Sequence, residues 1–135
     1  MNKLSAFIMC QKKVFQLAWK MKVYPLLVIP KKINQHWGAA TVPFTCLLLN
    51  TRNLKRFNER RAIKYMRHEM RHHWQTIYHT RLWWWYATHH DVYLRYYHGV
   101  LNWPEEDARQ FSYGRYALPK WKVSDLERWY QRGVI

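Results

Sequence analysis

At 135 residues the chain has the length of one domain, and its 23 Lys and Arg against 8 Asp and Glu give a formal charge of +15. That imbalance calls for a polyanion, an anionic lipid surface or an acidic partner. An aromatic content of 18% excludes a disordered basic tail. With only Cys10 and Cys46 and no CxxC spacing, neither a disulfide framework nor a cysteine metal site is expected.

The charge is unevenly laid out. Glu59 is the first acid, so residues 1–58 are wholly cationic, and all the acids fall in residues 59–135. Residues 1–32 open with Leu4, Phe7, Ile8, Val14, Phe15 and Ala18 at helical spacing, a pattern shared by plain amphipathic helices, mitochondrial targeting helices and helices lying on a membrane. Pro25 and Pro30 then bracket an apolar stretch ending at Lys31 and Lys32.

Residues 33–50 hold no charge. A helix of that length covers about 27 Å, marginal against a hydrocarbon core of about 30 Å. Trp37 suits an interfacial anchor, Pro43 and the run Leu47, Leu48, Leu49 suit insertion, and Lys31, Lys32, Arg52, Lys55 and Arg56 suit anionic headgroups such as cardiolipin. The expectation is one short transmembrane helix.

From Phe44 to His98 there is neither Gly nor Pro, and apolar residues recur every three to five positions from Ile63 to Trp85. Residues 51–99 therefore read as a long basic, aromatic-rich amphipathic helix, stopped by Gly99. Successive residues of a helix point about 100° apart, so Trp83, Trp84, Trp85 and Tyr86 cannot share one core. With Trp74 they are assigned to contacts with neighbouring subunits. Residues 100–135 read as short helices: Asn102 and Pro104 open one, with Glu105, Glu106 and Asp107 at the positive end of its dipole. Ser124 to Glu127 forms a capping box. No alternating strand pattern is evident. The fold class expected is all-α, extended and non-globular.

His68-Glu69-Met70-Arg71-His72 spells H-E-x-x-H, which places two imidazoles on one helix face at the spacing zinc uses. Against a zincin stand the eight His of the chain, the lack of a downstream third-ligand signature, Gln75 in place of the metzincin glycine, and the lack of an upstream sheet. The reading adopted is a polar helix face with no metal, no cofactor and no enzymatic activity.

His36-Trp37, Val42-Pro43 four residues on, the apolar run to Leu49 and the basic helix beyond resemble the small single-pass MNLL-type accessory subunit of mitochondrial respiratory complex I, over about residues 32–66. The resemblance implies a structural, non-catalytic subunit of the membrane arm, supporting assembly and stability, with its amino end in the matrix. The leading expectation is thus a single-pass protein of the mitochondrial inner membrane, held by neighbouring subunits and anionic lipid. A mitochondrial ribosomal protein bound to rRNA, which +15 also suits, and an accessory subunit of ATP synthase or of a cytochrome complex are the alternatives.

Overall fold

The computed structural model describes residues 2–80, 83–84 and 103–113. Helix α1 (Lys3–Met21) is followed by strands β1 (Leu27–Lys31), β2 (Ala39–Val42) and β3 (Cys46–Asn50). A 3-10 helix (Thr51–Arg56), α2 (Glu59–Tyr78) and α3 (Trp103–Ser112) complete the described elements. Trp85, Tyr86, Gly99 and the capping box at Ser124 lie outside the described residues.

Two expectations are overturned. The chain is not all-α: residues 33–50, expected as a transmembrane helix, form β2, a turn and β3. No helix among the described residues is long and apolar enough to cross a membrane, which removes the single-pass inner-membrane assignment. The turn explains the change. Pro43 stops any helix there, Phe44 takes φ 62°, and the Thr45 N–H donates to Val42 C=O at 3.1 Å, reversing the chain. Strand order is β1-β3-β2, with β3 parallel to β1 and antiparallel to β2. As the central strand, β3 is buried on both faces, so it reads as a continuous apolar run rather than an alternating one.

One face of the sheet carries Val28, Leu47, Leu49, Ala39 and Thr41, matched by register, and packs under the helices. Leu47 and Leu49 thus lie in the core, and Trp37 is exposed. Lys31, Lys32, Arg52, Lys55 and Arg56 are all exposed, and Arg52 Nε donates to Ile33 C=O. Helix α1 is capped by Asn2, whose side chain accepts from the Ser5 N–H, and it buries Ala6, Cys10, Val14, Leu17 and Ala18. The face that packs is therefore not the one marked by Leu4, Ile8 and Phe15, which stay exposed.

The outer edge of β1 is blocked in two ways. Gln11 accepts from the Val28 N–H and donates to Leu26 C=O, and Pro30 has no N–H to offer. Among the described residues no strand pairs with the outer edge of β2. Between β1 and β2 the chain is tied down by buried Asn50, whose amide donates to Asn34 C=O and Trp37 C=O and whose Oδ1 accepts from the Arg52 N–H. Asn50→Ala strips these bonds and is expected to cost about 1–3 kcal/mol, read as a shifted urea midpoint. Burial pushes the Cys10 thiol up to about 12, so alkylation of the native protein at neutral pH is expected to spare Cys10 until it unfolds, as peptide mapping will show.

Candidate metal centre

Helix α2 begins at Asn58, whose side chain accepts from the Arg61 N–H. Nearly three turns further on, His68 and His72 fall one above the other and bring their Nε2 atoms to 3.2 Å. Helix α3 packs across α2 and places Glu105 over the pair. Glu105 Oε2 stands 3.3 Å from His68 Nε2, and Oε1 stands 3.2 Å from His72 Nε2. These three side chains form the metal-capable group found among the described residues. Donor atoms bound tetrahedrally to zinc at about 2.0–2.1 Å sit roughly 3.3–3.4 Å from one another. With one donor atom taken from each residue, the three atoms all lie within 4.8 Å of one another, looser than that spacing but close enough to converge on one ion.

Outer contacts fix the orientation of His72. Both hydrogens of the Gln75 amide are committed, to Pro104 C=O and Asp107 Oδ2, each at 2.9 Å. Its Oε1 is therefore the acceptor facing His72 Nδ1 at 2.9 Å. In the neutral ring the proton belongs on Nδ1, and the Nε2 lone pair points into the cluster. Asp107 is held in turn by a two-pronged pair with Arg71, at 2.7 Å to Nε and 3.2 Å to the terminal nitrogen. The Arg71 guanidinium lies 3.7 Å from the Trp74 ring centroid.

The electrostatics favour positive charge at this point. Burial alone would lower the His72 pKa, but hydrogen bonds and charge from Glu105, with help from Glu69 and Gln75, raise it to about 9. Burial would raise the Glu105 pKa, yet contacts with His68 and His72 hold it well below the usual carboxylate range. The same imidazoles and carboxylate that attract a proton would hold a divalent cation.

Glu69 is buried, and its carboxylate lies at 2.5 Å from the Thr41 hydroxyl of β2, which also reaches the Glu69 C=O at 3.0 Å. A cavity of about 720 Å³ opens between the outer edge of β2 and the cluster. Ala39, Ala40, Thr41, Tyr65, His68, Glu69, His72, Trp83 and Glu105 contribute to its lining. The Glu105 side chain is 42% exposed, so the cluster is open on that side. Gly38 allows the Tyr65 ring to lie directly on the backbone here, since a Cβ would stand 2.3 Å from the ring carbon bearing the hydroxyl.

The sequence residues assigned to subunit contact fall differently. Trp83 is buried and lines the cavity, Trp84 is half-exposed and stacks near Phe44, and Trp74 lies under the Arg71 guanidinium with its ring tilted against Tyr78. The sheet held to be missing upstream of H-E-x-x-H is present, and its edge borders the site. Glu105 was read as a helix-dipole charge. Its signal as a ligand was an acidic cluster on the helix following the motif.

No protein-family model matches the chain, and no curated protein and no solved structure matches it either. Replacing Gln75 with Leu leaves His72 Nδ1 without its acceptor, and zinc affinity is expected to fall about 10–100-fold, measured by competition with a chromophoric chelator.

Proposed function

We propose that this protein is a zinc-dependent hydrolase of peptide bonds. The observation that carries the reading is the convergence of His68 Nε2, His72 Nε2 and the Glu105 carboxylate, two imidazoles and one carboxylate whose donor atoms lie within 4.8 Å of one another. Three protein donors with an open side are the pattern of a catalytic site, whereas a structural zinc site is closed by four. The accessory-subunit reading finds no comparable observation in the fold.

When bound, the ion supplies Lewis acidity toward a carbonyl oxygen and acidifies water. Glu69 is the general base. It follows the first ligand in the helix, its carboxylate borders the cavity, and the Thr41 hydroxyl fixes it. Glu69 takes a proton from the attacking water as the C–O bond forms, then delivers that proton to the amine as the C–N bond breaks. Lys64 and Tyr65 line the same cavity and offer donors to the developing oxyanion.

The choice of a peptide substrate rests on β2. Its outer edge borders the cluster, whereas Gln11 and Pro30 block the edge of β1. An extended peptide can pair with β2 through main-chain hydrogen bonds and so pass beside Glu69. Thr41 and Ala39 point beneath the helices, so the register of that pairing sets which carbonyl meets the ion.

Glu69→Gln is expected to lower kcat/KM on a fluorogenic peptide by about 10²–10⁴-fold while the protein keeps its full complement of zinc by atomic absorption. His68→Ala should lose both zinc and activity. Hydrolysis that survives both substitutions, or that resists a chelator, would sink the proposal.

A further inference from the structure

A different face of α2, turned toward α1, borders a second concavity of about 840 Å³. Its cations are Lys13, Lys20 and Lys22 from α1 and its C-cap, and Arg67 and Arg71 from α2. Arg71 is committed to Asp107. Among the described residues, the other four form no ion pair and none that line the groove is a carboxylate. Leu17, Met21 and Trp74 give it an apolar floor, and Trp19 stands at its rim with 89% of its surface exposed.

Four like charges gathered on one concave face attract an anionic ligand. Burial and the charges of Arg67 and Lys20 together depress the Lys13 pKa, with Glu59 countering only in part. The ligand must therefore bring several negative charges at spaced intervals, and flat apolar surface to cover Trp19. A bilayer supplies the charge but not the shape, because a planar surface cannot follow cations into a concavity. A duplex supplies the charge but keeps its bases stacked inside.

We propose that the groove between α1 and α2 binds single-stranded nucleic acid, with Lys13, Lys20, Lys22 and Arg67 on successive phosphates and a base stacked on Trp19. The formal charge of +15 attracts the strand from a distance and the groove gives it a track. Binding there is independent of the metal centre, which occupies another face of α2, and the assay below reads no hydrolysis.

Fluorescence anisotropy of labelled oligothymidylate with the full-length protein, across a salt series, tests the assignment. Four phosphate contacts predict a slope of log affinity on log salt of about −3, at roughly −0.7 per contact on a single strand. Lys13→Ala with Lys20→Ala should flatten the slope by about half. Trp19→Ala should weaken binding by about 5- to 150-fold with the slope unchanged. All three residues are exposed or half-exposed, and unchanged helical circular dichroism confirms that the variants fold. Groove variants that bind as the parent does would place the charge effect elsewhere and overturn the site. So would an absence of binding at low salt, or Trp19→Ala releasing the protein from phosphatidylserine vesicles while oligonucleotide affinity stays intact.

Discussion

The placement of α3 on α2 depends on one carboxylate. Asp107 is nearly inaccessible and accepts from Arg71 through two nitrogens and from Gln75 through a third, all three donors lying on α2. Two of its neighbours on α3 take part in the same contact: Pro104 C=O receives the other Gln75 hydrogen, and Phe111 lies 5.1 Å from the Arg71 guanidinium. A buried pair of this kind adds little net stability over apolar packing, but losing one partner leaves an uncompensated charge at a cost of about 3–5 kcal/mol. Its value is directional. It fixes the rotation of α3, and through that rotation the height of Glu105 above His68 and His72. The chain of contacts from Arg71 through Asp107 and Gln75 to the His72 ring joins the stability of the helix pair to the tautomer of a ligand.

Helix α2 thus serves three neighbours at once. Its Met66 and Met70 enter the core with Val14, Leu17 and Phe111. His68, Glu69 and His72 meet α3 and the edge of β2, while Arg67 and Trp74 turn toward α1. That division explains a helix whose buried set includes Glu69, Arg71, His72, His73 and Gln75, residues that rarely leave water without partners. Each of these except His73 is satisfied at a site with chemistry attached. His73 instead bonds the Tyr24 C=O through Nε2 and packs edge-on against the Tyr24 ring, fastening the start of the sheet to α2.

Much of the helical structure was legible. The stripe from Ile63 onward marks α2, although that helix starts at Glu59, after a 3-10 helix over Thr51–Arg56, rather than at residue 51, and Pro104 with the acids after it marks α3. The sheet was not. Three adjacent Leu in β3 give no alternation, because a strand covered on both faces has none to show, and their length and polarity equally suit a buried helix or a short span. The decisive residue was Pro43, whose meaning as a reversal depended on Phe44 adopting a left-handed conformation that side chains other than Gly seldom take. The candidate metal centre was half legible. Two His at helical spacing were visible, but their third partner is separated from them by a long stretch of chain, and only the packing of α3 brings it back.

That separation has a consequence for how the domain can change. The facing residues of α2 and α3 are joined by side chains: Gln75 reaches Pro104 C=O and Asp107, and Arg71 reaches Asp107. A divalent ion held between His72 and Glu105 would join the same two helices and act as a removable staple.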